Sequence, residues 1–305
     1  MQWTNRHNLP EPLVAAITTD DHVTKGDYSV TECCSPIQQS VLRKRHDDEI
    51  VEDVADHLWV LLGHAIHYVI EKFSRKIDPS KGFRMLEETL TIKLENGVVV
   101  SGTLDHYDGT KRMIDDWKVT NIYKVTNGDT SDWKRQLQIY QALVVGAGYP
   151  VSKIVNQAIC RDWMRRDTVK PGYPKIPFVS IEQPLQDVDI TRAWLLERTD
   201  QLRDAKELDN YELADRYPCS REDMWAAPDG WAVCKGDSTR AVPKGIHSNE
   251  VDAKKMADEK GPGYSVIHRP GFRRRCAEYC TPSEFCIQWR EHQKKHTTVK
   301  EASEA

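Results

Sequence analysis

The period of the hydrophobic positions changes several times along this chain. From about Asp48 to Phe73 the apolar set Val54, Leu58, Leu61, Leu62, Ala65, Ile66, Val69 and Ile70 keeps helical spacing, which predicts a long amphipathic helix with a broad buried face. Residues 86–95 then alternate apolar and polar, and Asn96-Gly97 is a hairpin turn into Val98-Val99-Val100. That strand runs on through Ser101-Gly102-Thr103-Leu104-Asp105. A turn at Asp108-Gly109-Thr110-Lys111 leads to Ile114-Asp115-Asp116-Trp117-Lys118, so a meander is expected with the long helix packed on it. A short helix opens at Ser35-Pro36 and runs to Arg45; another runs from Ser131 to Val145, ended by Gly146 and Gly148. Strands at 154–160 and 176–181 and a helix over 188–208 complete an α/β pattern. The first 27 residues are polar with no sustained period and read as a loose arm.

Side chains in a strand alternate faces, so Asp116 and Lys118 share one face while Asp115 and Trp117 take the other. Asp105 sits late in the preceding strand. Two converging carboxylates suit a hard divalent cation such as Mg2+ or Mn2+, and an adjacent ammonium can orient a water or stabilise a developing oxyanion. This is equipment for metal-assisted phosphodiester hydrolysis.

Gly102-Thr103-Leu104-Asp105, then Asp116-Trp117-Lys118, then Gln136-Leu137-Gln138-Ile139-Tyr140 resemble, in order, the motifs of the RecB-like PD-(D/E)XK nucleases of phages and of CRISPR adaptation. An Asp-x-Lys alone would carry almost no weight; three ordered motifs carry much more. The resemblance implies a restriction-endonuclease-like core, a central mixed sheet flanked by helices. It implies metal ligation by His67, Asp105, Asp116 and the Trp117 carbonyl, and catalysis by Asp105, Asp116 and Lys118, with Gln136 and Tyr140 beside the substrate path. Helical angles do not by themselves separate His64 from His67, since both flank the apolar arc; the family's glycine-to-histidine spacing from Gly63 selects His67. Glu71 reads as a surface carboxylate.

Beyond about residue 215 the composition turns toward Trp, Cys, Pro and Gly, and residues 231–268 suggest a small β-β-α-β insertion. Cys276, Cys280 and Cys286 then fall within eleven residues, three corners of a four-ligand site for an iron-sulfur cluster or zinc. RecB-like nucleases often carry such a triplet, joined by one distant cysteine to hold a [4Fe-4S] cluster; structural Zn2+ is the alternative. The three-residue gap between Cys276 and Cys280 departs from the family's usual two. In the family the distant cysteine precedes the first core helix, which points to Cys33 or Cys34, whereas loop-closure entropy favours the nearer Cys219.

The expected division is an arm at 1–27, a nuclease core at 28–210, a cysteine-rich region at 211–290 and a disordered tail at 291–305. At 30% charged residues and a net charge of −4 the chain is no basic nucleic-acid coat, so any DNA path is local. Candidates are Arg161, Arg165 and Arg166, and Arg273-Arg274-Arg275. No apolar window of about 18 residues is present, which argues against a membrane span, and the start lacks a secretory layout. The expected setting is the cytoplasm, that of a bacterial host for a phage-encoded chain, where eight cysteines read as thiols or metal ligands. The reading is a Mg2+- or Mn2+-dependent exonuclease acting at double- or single-stranded DNA ends, with a single-strand annealing recombinase as a further partner. The alternative is a catalytically silent DNA-binding protein on a nuclease fold.

Overall fold

A computed structural model describes residues 1–19, 25–128 and 130–294. In chain order the elements begin with β1 (Gln2–Thr4), α1 (Glu11–Thr18), β2 (Tyr28–Ser29), α2 (Val30–Cys34), α3 (Ile37–Arg45), β3 (Val51–Asp53) and α4 (Leu58–Ser74). Next come β4 (Arg84–Lys93), β5 (Val99–Asp108), β6 (Met113–Thr120), α5 (Ile122–Thr126), α6 (Ser131–Gly146), β7 (Lys153–Cys160), β8 (Phe178–Gln183) and α7 (Val188–Glu207). The last are α8 (Asn210–Arg216), β9 (Gly230–Lys235), β10 (Ala241–His247), α9 (Glu250–Lys260), β11 (Tyr264–Arg269) and α10 (Arg274–Glu278). The chain divides into two compact units, residues 1–35 with 48–204, and residues 36–47 with 205–305. α3 therefore belongs with the C-terminal unit and not with the core in which its sequence position places it. The expected tail is helical over 291–294 and otherwise lies outside the described residues.

The larger unit is built on a mixed sheet with strand order β2-β5-β6-β7-β8, β4 lying along the other edge of β5. The meander forms as the alternation predicts, and its first turn is set by Asn96 and Gly97. The Asn96 Oδ1 accepts the Val98 N–H at 3.1 Å, and Gly97 takes a φ of 83° that a side chain would resist. β5 is shared unequally. Its full length pairs antiparallel with β4, while its opposite edge pairs β2 only at Val100 and Ser101 and β6 only at His106, Tyr107 and Asp108. Between those two ladders, residues 102–105 have no strand on that edge among the described residues. β6 continues past the fork because β7 pairs it in parallel from Met113 to Thr120.

Gly102 explains the start of the Gly-Thr-Leu-Asp run. A Cβ there would lie 2.5 Å from Val30 Cγ2, 2.8 Å from Tyr140 Cε1 and 3.2 Å from Leu143 Cδ1, so α2 and α6 close on the strand only over a glycine. α6 is the best-buried helix of this unit, with Leu137, Ile139, Ala142 and Val144 inaccessible to solvent. α4 has the predicted apolar spacing but no buried residue; Trp59, Val60, Tyr68, Val69 and Phe73 are all at least half exposed. The broad buried face expected for it is thus a correction: its pattern fixes an apolar side, and only Leu61, Ile66 and Ile70 on that side are partly covered. Its first predicted turns are instead β3 and a 3-10 turn at Val54–His57.

The expected loose arm is also corrected. β1 pairs in parallel with β3, and the buried Asp53 carboxylate accepts from Thr4 Oγ1 at 2.7 Å and from the Arg6 N–H at 2.9 Å. Residues 20–24 of the same stretch lie outside the described residues.

In the smaller unit β10-β9-β11 form a sheet and α9 packs on it through Val233, Ala253 and Ala257, the β-β-α-β order predicted. An Asp209–Glu212 capping box starts α8.

Replacing Gly102 by Ala is expected to lower stability by about 1–3 kcal/mol, the range for overpacking, because the Val30, Tyr140 and Leu143 side chains carried by two helices must give way. Urea unfolding followed by circular dichroism measures it, and a change below about 0.5 kcal/mol would show that α6 has room to move.

Candidate active site

The fork between β5 and β6 leaves the Trp117 peptide groups without a strand partner on the β5 side, and side chains take that place. The Asp105 Oδ2 accepts the Trp117 N–H at 2.6 Å, and His67 Nε2 lies 3.1 Å from the Trp117 carbonyl oxygen. His67 comes from α4, on the side of the helix that meets β4 and β6. Its other nitrogen, Nδ1, is 3.5 Å from Asp105 Oδ1 and 3.7 Å from Glu87 Oε1. The two carboxylates, Asp105 first and Glu87 second, hold the imidazolium form of His67 up to about 10, against the opposing effect of burial.

Glu87 has no motif signature and the sequence reading missed it. In the β4–β5 ladder Leu86 faces His106 and Glu88 faces Leu104, which puts Glu87 across from Asp105. Its φ of 49° lies in the left-handed region, a costly conformation for a glutamate inside a strand. The nearest sequence signal is the Glu87-Glu88 pair within an alternating strand, where one of the two must break the pattern. His67, Glu87 and Asp105 offer ligand atoms all within 4.8 Å of one another.

Asp116 and Lys118 occupy one face of β6, as alternation predicts. Lys118 Nζ donates to Asp116 Oδ1 at 2.9 Å and to Gln136 Oε1 at 2.9 Å. Asn156 Nδ2 donates to Asp116 Oδ2 at 2.8 Å, and Gln136 Nε2 donates to the Tyr140 hydroxyl at 3.4 Å. Asp116 is 2% exposed. Burial pushes its carboxyl up from the usual range, the Lys118 ammonium opposes that, and the nearby Asp105 charge adds to it. Burial likewise raises the Tyr140 phenol, with Asp116 and Asp105 next in effect. Asp115 points the other way, to His106 Nδ1 at 2.9 Å and Gln157 Nε2 at 2.7 Å. Glu71 is bound by Arg75 and His64 is exposed, so neither joins the site. All the residues anticipated for catalysis therefore gather around the fork.

Oxygen donors from Asp105 and Glu87, the Trp117 carbonyl and one imidazole nitrogen fit Mn2+ or Mg2+ in type and charge. Asp116 stands next to this set with both oxygens engaged by Lys118 and Asn156.

In the smaller unit a cavity is lined by Cys219, Cys276, Cys280 and Cys286, so Cys219 joins the C-terminal triplet. Cys33 is buried under the Arg198 side chain, which donates to its carbonyl at 3.0 Å, and belongs to the other unit together with Cys34. Burial pushes the Cys34 thiol up to about 12 and the Cys280 thiol up to about 12, and raises those of Cys219, Cys276 and Cys286. No three of the cavity's sulfurs lie within 4.8 Å of one another. The expected basic clusters divide: Arg161 lies over the Trp59 ring at 4.6 Å, while Arg275 lies over Trp225 at 5.5 Å and donates to the Asp223 carbonyl.

No family model and no curated protein matches the chain. Among solved structures, the crystal structure of SSO0001 is similar at 17% identity over 59% of this chain and 78% of that one, with a TM-score of 0.41. What stands from fold and site is a mixed α/β protein with a central sheet flanked by helices. No helix among the described residues is long and apolar enough to cross a membrane.

A cation bound at this set must take the imidazole nitrogen from a proton. Mn2+ affinity measured by calorimetry is therefore expected to rise by up to about tenfold per pH unit between pH 6 and 8, since one proton is released per ion. Glu87→Gln should weaken binding by at least about tenfold and flatten that pH dependence, having removed both a ligand and one of the two carboxylates that raise His67. The same raised group stabilises the metal-free fold fully below the unfolded histidine value and loses that contribution as pH rises through about 10. Mn2+ affinity independent of both pH and Glu87 would reduce the cluster to an ion pair.

Proposed function

We propose that this chain is a divalent-metal-dependent DNA nuclease with a restriction-endonuclease-like, RecB-type PD-(D/E)XK core, acting as an exonuclease at DNA ends. The observation that carries the reading is the fork. A carbonyl, two carboxylates and an imidazole converge on its α4 side, and a Lys–Asp pair backed by Gln136 and Tyr140 stands beside them. Sequence order, strand placement and side-chain convergence agree on the same residues, and that consistency supports a site over chance acidity.

His67, Asp105, Glu87 and the Trp117 carbonyl would hold Mg2+ or Mn2+, with Asp116 at hand as a further carboxylate. Such an ion supplies Lewis-acid polarisation of a phosphoryl oxygen and a more acidic bound water. Lys118 Nζ, fixed between Asp116 and Gln136, is placed to orient the attacking water and to stabilise charge developing on the phosphorane oxygens. Gln136, bridging Lys118 and Tyr140, holds that ammonium beside Asp116. Water adds to phosphorus, the bond from phosphorus to the leaving sugar oxygen breaks, and that oxygen ends as a hydroxyl. The Arg161–Trp59 pair offers a cation and a π face to a nucleic-acid strand.

The four cavity cysteines fit a metal-thiolate centre held within the smaller unit. A single zinc needs its sulfurs about 3.8 Å apart, from a Zn–S distance of about 2.3 Å in a tetrahedron. A [4Fe-4S] cluster, in which each cysteine binds a different iron, is the reading we take, with one zinc as the alternative. Its place is structural, tying together segments far apart in sequence. A bacterial cytoplasm and an annealing recombinase partner complete the proposal.

End-labelled linear DNA and covalently closed circular DNA, incubated with Mg2+ or Mn2+, test the reading. Linear DNA should be shortened from its ends and circles left intact. Lys118→Ala should cost at least about 10²- to 10³-fold in rate, the scale for one preorganised donor, and Asp116→Asn as much, while Asp115→Asn costs far less. DNA binding without cleavage by the wild type would select the catalytically silent alternative, and preferential cleavage of RNA would change the substrate.

A further inference from the structure

The cysteine cavity holds a second chemical feature besides its thiols. Gln38, in the first turn of α3, is 1% exposed and lines the cavity. Its Oε1 accepts from Cys286 Sγ at 2.9 Å and from Cys219 Sγ at 3.9 Å. Its Nε2 is buried with no hydrogen-bond partner, and so is the Oε1 of the neighbouring Gln39, which lines the same cavity. A buried amide donor left unpaired is costly, and native proteins rarely keep one without a use. All of these residues belong to the same compact unit.

With its oxygen toward the sulfurs, the amide suits protonated thiols. Once the sulfurs bind a metal they lose their protons, and an amide oxygen beside them faces lone pairs and negative charge. A half-turn about the last side-chain torsion of Gln38, which is broad and nearly two-fold, exchanges oxygen for nitrogen at that position. The orphaned N–H then donates to Cys286 and Cys219. Resting on the reading of the four cysteines as a metal-thiolate centre, we propose that Gln38 is its built-in hydrogen-bond donor. It is a positioning residue that turns on loading and stabilises the ligated sulfurs from α3.

Donors to ligating sulfurs stabilise negative charge, so they strengthen metal retention and, for an iron-sulfur cluster, raise the reduction potential. Gln38→Met keeps the length of the side chain and removes the donor. Gln38→Glu keeps the shape and fixes a charged acceptor where a donor is needed. The full chain, purified without oxygen as wild type and as both variants, is compared for iron and zinc per chain, for the rate of metal loss to EDTA, and for midpoint potential where iron is present. Circular dichroism checks the fold. Gln38→Met should lose its metal about 10- to 100-fold faster than wild type and show a lower potential, and Gln38→Glu should load poorly or not at all.

Equal retention and equal potential in wild type and Gln38→Met would overturn the role of Gln38 and leave the cysteine centre standing. A wild type with no metal at these thiols would overturn the centre and the proposal together. Should Gln38→Met fail to fold, Gln38→Asn, which keeps the amide but withdraws it from the sulfurs, is read in the same way: faster metal loss and a lower potential are expected, and wild-type values of both would count against the donor.

Discussion

The edge of β5 between its two short ladders governs the rest of this molecule. A strand edge whose peptide groups lack partners is costly, and a protein must cover it, pair it or use it. Here β6 leaves β5 after the Tyr107–Ile114 and His106–Asp115 pairs, and side chains replace the missing ladder. Asp105 takes the Trp117 N–H and His67 meets the Trp117 carbonyl. One structural need, satisfying two peptide groups, therefore places a carboxylate, an imidazole and a carbonyl oxygen together. β7 holds β6 rigid beyond the fork, so Asp116 and Lys118 are set by a paired strand and not by a loop.

The charge balance at the fork follows from the same geometry. Glu87, Asp105 and Asp116 bring three carboxylates near one another, and the cations that face them are His67 and Lys118. His67 acts as the internal counter-ion of the first two, which is why its proton is held so firmly. The strained backbone of Glu87 is tolerated inside a strand that otherwise pairs regularly on both sides of it. Strain of that kind persists where surrounding contacts over-determine it, and functional sites are where it gathers.

Much of this was legible because it is local. Period two alone separates Asp116 and Lys118 from Asp115 and Trp117, and period 3.6 alone pairs Gln136 with Tyr140; hydrogen bonding follows both. Three things were not legible, each for a non-local reason. Glu87 depends on a left-handed φ within a strand, which alternation cannot foresee. The pairing of β1 with β3 joins three-residue segments nearly fifty positions apart, too short to leave a periodic trace. The apolar spacing of α4 names the side that would be buried but not whether anything covers it. Cys219 lies between: loop entropy favoured it over Cys33 and Cys34, yet only the tertiary structure brings it to the triplet's cavity.

As proposed, the fork binds a divalent cation through groups that otherwise satisfy one another. Crystals of the protein soaked in Mn2+ and measured at the manganese absorption edge test it most directly. One anomalous peak is expected, bounded by His67, Asp105, Glu87 and the Trp117 carbonyl, with the His67 ring moved off that carbonyl. Manganese found elsewhere, or His67 still bound to Asp105 and Trp117 at saturating Mn2+, would contradict it.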